Sequence, residues 1–181
     1  MLMRMLDAGG VPILTDGVRS ADEDNPNGYF EYEPVKQLDK SADHAWLRGA
    51  RGRAVKIISL LLTWLPETYN YQVLFMQRDL AEVMASQDTM LVRRGESASA
   101  GAHEATRAIY ARHLEQVDRF LASRACFTRL SVGYRDVIEG PENEARRIEA
   151  FLGRRLDIAR MAAVTDRRLY RNRTPPSADP A

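Results

Sequence analysis

Apolar residues in this chain fall into two periodicities that alternate along it. Val73, Leu74, Phe75 and Met76 form a continuous apolar run, the pattern of a strand buried on both faces of a parallel sheet. Asp79 then stands where a helix cap is expected, and Leu80, Val83, Met84 and Leu91 follow at helical spacing to make one apolar stripe. The stretch predicts a buried strand that runs straight into an amphipathic helix. Further on, Ala105, Ile109, His113, Leu114, Val117, Phe120 and Leu121 share one face of a helix predicted over residues 103–124. Residues 127–133 predict another strand, with Leu130 and Val132 on one side. Pro141 at a first helical position, Glu142 and Glu144 near the positive end of the dipole, and Gly153 at the close punctuate a helix. Residues 156–164 predict one more.

The first third is less regular. Residues 1–8 favour a helix that Gly9 and Gly10 end, and residues 11–14 predict a short strand. Residues 15–27 form a polar, acidic connection closed by the turn signal Asn25-Pro26-Asn27-Gly28. Residues 54–59, AVKIIS, predict a second buried strand, and Trp64-Leu65-Pro66 a helical turn ended by proline. Residues 93–102, RRGESASAGA, are small and polar and predict a loop. Strands near residues 11, 54, 72 and 127, alternating with helices, specify an α/β layer fold with a mainly parallel sheet.

At 181 residues with 45% hydrophobic composition, the chain suits one domain with a single core. A net charge of +1 argues against an extended nucleic-acid footprint, while Arg48, Arg51 and Arg53 form a local cluster able to attract a phosphate. The single cysteine, Cys126, leaves no intrachain disulfide and no multi-cysteine metal site, as in a reducing interior. No apolar stretch reaches the length of a membrane span, and MLMRML is too short for a secretory signal. The expected location is cytoplasmic.

In open α/β sheets ligands bind outside the carboxyl ends of the strands. There stands Arg78, with Ser86 eight residues later, and a guanidinium fork with a hydroxyl suits a phosphate. The alternative is that Arg78 pairs with Asp79 or another nearby carboxylate. Tyr29-Phe30-Glu31-Tyr32-Glu33-Pro34 offers aromatics and carboxylates for an acceptor pocket. Apolar surroundings raise a carboxyl pKa toward the range of a general base, so Glu31, then Glu33, is a candidate. Its alternative is a solvated turn ahead of a surface helix over residues 34–40. Lys56 is an unusual cation inside a buried strand, or an edge-strand lysine that faces water. His113, on the apolar face of its helix, reads as a hydrogen-bonded packing residue, and His44 as a surface one.

The run from Lys56, KIISLLLTWLPETYNYQVLFMQRD, resembles the sulfotransferase family, and DEDNPNGYFEYEPVK and RIEAFLGRRLD resemble its bacterial branch. The resemblance spans roughly residues 1–173 and implies a three-layer P-loop NTPase-like α/β fold. It implies 3′-phosphoadenosine 5′-phosphosulfate (PAPS) as co-substrate, no metal, and a hydroxyl or amine acceptor on a small molecule, glycan or lipid. By the same resemblance Arg78 and Ser86 would hold the 3′-phosphate, Tyr134 the adenine and Lys56 the sulfuryl group, with Glu31 as base. Many cytosolic members carry a histidine two residues after the lysine; here that residue is Ile58. The family's first strand and Gly-x-Pro-Arg-Ser-Gly-Thr phosphate loop are absent from this sequence, as is its basic glycine loop near the end, for which Arg171 or Arg173 would have to substitute. The expectation is a start at an internal methionine of a longer protein, the alternative a short form that binds nucleotide without catalysis. A phosphotransferase on the same fold is disfavoured by the lack of a Walker lysine. Residues 174–181, with their prolines, are expected to be a disordered tail.

Overall fold

A computed structural model of the chain describes residues 1–19, 25, 28–84 and 100–166. In chain order these form α1 (Leu2–Ala8), a 3-10 turn (Glu33–Gln37), α2 (Leu47–Ala50) and a second 3-10 turn (Ser59–Trp64). There follow β1 (Tyr71–Gln77), α3 (Ala100–Ala122), β2 (Phe127–Gly133), α4 (Tyr134–Glu139), α5 (Pro141–Leu152) and α6 (Ile158–Ala163).

The two strands pair in parallel, in register from Tyr71 opposite Phe127 to Gln77 opposite Gly133. Parallel neighbours need a long crossover, and the connection from β1 to β2 contains α3. Because side chains alternate along a strand, each face of the pair receives its own apolar cluster. Val73, Phe75 and Phe127 pack with Val117 and Leu121 of α3 and with Leu62 and Leu65 around the second 3-10 turn. The Tyr71 and Phe127 rings stack at 4.9 Å on this side. Leu74, Met76, Leu130 and Val132 face the other way, onto Met5 and Leu6 of α1, Val137 of α4, Ile148 of α5 and Met161 of α6. Each fully buried side chain of this size contributes about 1.5 to 3 kcal/mol, so both faces hold the sheet in place.

Helix ends follow the sequence closely. Pro141 opens α5, and Gly153 closes it with φ +63°, a left-handed conformation that glycine adopts without a Cβ penalty. Asp157 caps α6 by accepting from Arg160 N at 3.0 Å. At Gly9, α1 passes so close to α6 that a Cβ would stand 2.8 Å from Met161 Cγ and Sδ.

Three expectations are corrected. Residues 54–59 are not a sheet strand: Ala54 makes one parallel bridge to Ile13, through Ala54 N to Pro12 O at 2.8 Å and Leu14 N to Ala54 O at 2.9 Å. No described strand lies beside residues 55–57, so the ladder stops after one rung, and residues 11–14 shrink to the same bridge. Second, Ile109 is 68% exposed, because α3 reaches the sheet through Val117 and Leu121 two or more turns later. Third, the segment Tyr134-Arg135-Asp136 after the strand at residues 127–133, for which no helix was expected, begins α4. The described residues form a mixed helix and strand arrangement around a two-stranded parallel sheet.

The outer edge of β1 is open among the described residues. Tyr71 N donates to Cys126 O at 2.7 Å, so Tyr71, Val73 and Phe75 turn their backbone toward β2, and the intervening Gln72, Leu74 and Met76 turn theirs outward. A cavity of about 1200 Å³ lies against β1 and residues 52–57.

Candidate functional site

Because β1 and β2 are parallel and end level at Gln77 and Gly133, the next residue of each chain segment emerges at the same end of the sheet. These residues are Arg78 and Tyr134. The Arg78 guanidinium carbon lies 4.8 Å from the Tyr134 ring centroid, within the range of a cation–π contact. Asp79 caps the helical turn over residues 80–84, its Oδ1 accepting from Ala81 N at 2.8 Å and Glu82 N at 3.1 Å. That cap sets Glu82 one turn beyond Arg78, and Arg78 Nε donates to Glu82 Oε2 at 3.3 Å. Arg78 therefore pairs with Glu82, a carboxylate only 5% exposed, and not with Asp79. Burial pushes the Tyr134 phenol above its ordinary pKa, opposed by Arg78 and assisted by Glu82 and Asp166. At Gly133 a Cβ would collide with the Asp136 carboxylate, which makes glycine the fitting residue for the strand-to-helix turn that presents Tyr134.

Lys56 lies on the same cavity as Arg78 and Tyr134. Its Nζ donates to Tyr29 O at 2.9 Å and stands 3.9 Å from Glu31 Oε1. Burial lowers its pKa, against the raising effect of Glu31, while Arg19 and Lys36 add to the lowering. Arg51 and Arg53 also line the cavity; Arg48 does not.

Glu31 differs from expectation. Burial does push its pKa up, but Lys36, Lys56 and Arg19 together outweigh burial and hold the carboxyl below its ordinary value. Its oxygens lie 3.2 Å from Arg19 Nη1 and 3.2 Å from Lys36 Nζ. Phe30, at φ +50°, bends the chain just before it, and Thr15 Oγ1 and Asp16 N both donate to Glu31 O. A carboxylate so paired is a weak base, and it is not among the residues lining the cavity. Glu33 accepts from Lys36 Nζ at 2.5 Å and opens a 3-10 turn in place of the expected helix over residues 34–40. Ser86, Arg171 and Arg173, the predicted tail and most of the loop at residues 93–102 lie outside the described residues.

The structure thus brings Lys56, Arg78 and Tyr134 to one cavity and links Glu31 to it only through Lys56. It also adds a polar pair there that sequence reasoning missed. Ser59 Oγ lies 2.8 Å from His113 Nε2, and both line the cavity. The helical-face position of His113 was legible; a partner 54 residues away was not.

Among the described residues there is no group of three or more His, Cys, Asp or Glu placed to hold a metal, and no helix long and apolar enough to cross a membrane. Neither a family model, nor a curated protein, nor a solved structure matches this chain.

Proposed function

We propose that this chain binds a nucleotide carrying a 3′-phosphate, and that it serves transfer of a sulfuryl group from PAPS to a hydroxyl or amine acceptor on a P-loop NTPase-like α/β framework. The observation that carries the reading is the pairing of Arg78 with Tyr134 at the carboxyl ends of two adjacent parallel strands, on a cavity shared with Lys56. A guanidinium supplies forked donors to a phosphate, and the neighbouring ring supplies a surface for a base. The nucleotide's 3′-phosphate takes Arg78, with Ser86 as its hydroxyl partner, and the adenine takes Tyr134. In the transfer, the acceptor oxygen or nitrogen attacks sulfur as the bridging S–O bond breaks and its electrons leave on the bisphosphate. Lys56 lies on the same cavity to neutralise that charge. Positioning and charge stabilisation carry such a reaction, as they do phosphoryl transfer.

A second reading, nucleotide binding without transfer, is favoured by one observation. Lys56 already donates to Tyr29 O at 2.9 Å and shares its charge with Glu31 Oε1 at 3.9 Å, which leaves less of that charge to answer a leaving group. Calorimetric titration with adenosine 3′,5′-bisphosphate tests both. The parent chain is expected to bind, and a variant with Arg78→Ala and Glu82→Ala together to bind at least tenfold more weakly, a loss of about 1.4 kcal/mol. Equal binding by the two proteins would remove the assignment. Turnover of PAPS, or its absence, then separates the enzyme from the binding module.

A further inference from the structure

The hydrogen-bonded pair Ser59–His113 has no part in the reading above, yet it shares the cavity. Ser59 follows Lys56 by three residues, so their Cα atoms lie within about 10 Å of each other. The cavity residues nearest the pair in the chain include the apolar Ile57, Leu62 and Leu114, with the phenol of Tyr110 one turn before His113 on α3. The carboxylates that line the cavity are engaged elsewhere, Asp79 in capping its own helical turn and Glu82 with Arg78. Glu31, bound to three cations, is not among the lining residues. Hydrogen-bonded to Ser59 on the cavity wall, the imidazole is a lining group placed to take a hydroxyl proton through that serine.

Resting on the sulfuryl-transfer reading, we infer that Ser59 and His113 receive the acceptor, and that the acceptor is an amphiphilic alcohol with one hydroxyl on an apolar body. The acceptor hydroxyl donates to Ser59 Oγ, which donates its own proton to the neutral imidazole Nε2. As the acceptor oxygen forms its bond to sulfur, its proton passes to Ser59 Oγ and the serine proton passes to His113. The bridging S–O bond breaks toward the bisphosphate, which leaves with the electron pair, and the imidazolium carries the proton away. Charge and atoms balance with no further reactant. A glycan fits this end of the cavity poorly, because hydroxyls set against Leu62 and Leu114 give up water and gain no hydrogen bond.

Octan-1-ol is the probe, with 1-methoxyoctane and glucose as controls. The chain has three histidines, and the spectrum of His113→Gln assigns the His113 ring proton by NMR. Octan-1-ol is expected to shift that resonance and the two controls to leave it in place. No shift, or an equal shift with glucose, overturns the acceptor assignment. Ser59→Ala should abolish the shift while binding adenosine 3′,5′-bisphosphate like the parent. With PAPS present, His113→Gln should lower kcat toward octan-1-ol at least tenfold with KM within twofold, since glutamine keeps a hydrogen bond to Ser59 but takes no proton. Parent-like kcat in that variant overturns the proton role, and absence of octan-1-ol transfer by a parent that binds the bisphosphate overturns the choice of acceptor. Failure of the parent to bind the bisphosphate sinks the nucleotide reading instead, and the alcohol-dependent shift still decides the site.

Discussion

The Arg78 guanidinium carbon sits 4.8 Å from the centre of the Tyr134 ring, although 56 positions separate the two residues in the chain. The parallel register of β1 and β2 creates this relationship, since Gln77 and Gly133 are partners and each strand's next residue leaves at the same level. Arg78 also serves the fold, because its Nε bonds the buried Glu82 carboxylate. Arg78→Ala alone is expected to destabilise the chain by about 1 to 3 kcal/mol, by removing a charge-assisted partner of a buried carboxylate. Adding Glu82→Ala should restore part of that stability in denaturant titrations without restoring bisphosphate affinity. A double variant as unstable as the single one would disprove the coupling.

Acid should weaken the cluster around Glu31. Lys36, Lys56 and Arg19 overcome the effect of burial and hold this carboxyl below 4.5, its ordinary value. The folded state thus binds the proton less readily than the unfolded state does. The stabilisation is complete above about pH 4.5 and falls away as pH drops through that range toward the folded pKa. Glu31→Gln should flatten this part of the Tm-against-pH curve, at a cost at neutral pH of about 1 kcal/mol or less for partly exposed pairs. An unchanged acid limb would show that the cluster contributes nothing.

At the alkaline end Tyr71 behaves in the opposite sense. Burial pushes its phenol up to about 12, with Cys126 and Tyr69 adding to the rise, and its hydroxyl donates to Pro66 O at 2.8 Å. The folded state holds the proton more tightly than the unfolded chain, so this stabilisation is complete below pH 10 and is lost as pH rises toward 12. Ultraviolet titration should show one tyrosine ionising near the top of that range, and Tyr71→Phe should remove it.

Gly9→Ala should cost about 1 to 3 kcal/mol, the usual range for overpacking. Its Cβ would meet Met161 Cγ and Sδ at 2.8 Å, and Met161 is fully buried between α1, α5 and the sheet. A Tm lowered by several degrees is the expected result. Pairing the change with Met161→Ala should recover part of the loss, because the shorter side chain vacates the contested space.

Much of the helical punctuation was legible in the sequence because each signal acts over a few residues: Asp79, Pro141 and Gly153 all end or begin a helix where the chain predicts. The two strands at residues 71–77 and 127–133 were legible for the same reason. Residues 54–59 were misread because an apolar run reports burial, whereas a strand also needs a neighbour, and the run alone does not reveal whether one is present. At the site, Arg78 was singled out from its place after a strand and Tyr134 by the resemblance, but the pairing with Glu82 and the 4.8 Å approach of Arg78 to the Tyr134 ring came only with the helical turn and the register. The lowered pKa of Glu31 was not legible because Arg19, Lys36 and Lys56 converge on it from different segments, so the sum of their charges is a property of the folded chain.

Backbone amides along β1 should divide by parity in hydrogen exchange. Val73 and Phe75 turn toward β2, while Gln72, Leu74 and Met76 turn to the open side. The first pair is expected to exchange at least tenfold more slowly than the other three. Uniform protection along the strand would mean that the outer side is covered.

Among the described residues the outer peptide groups of β1 stand unpaired beside the hollow, an edge that bears on how copies of this chain would meet. With a net charge of only +1, little mutual repulsion keeps them apart. Left unpaired, such an edge is a template for edge-to-edge zippering when copies are crowded together.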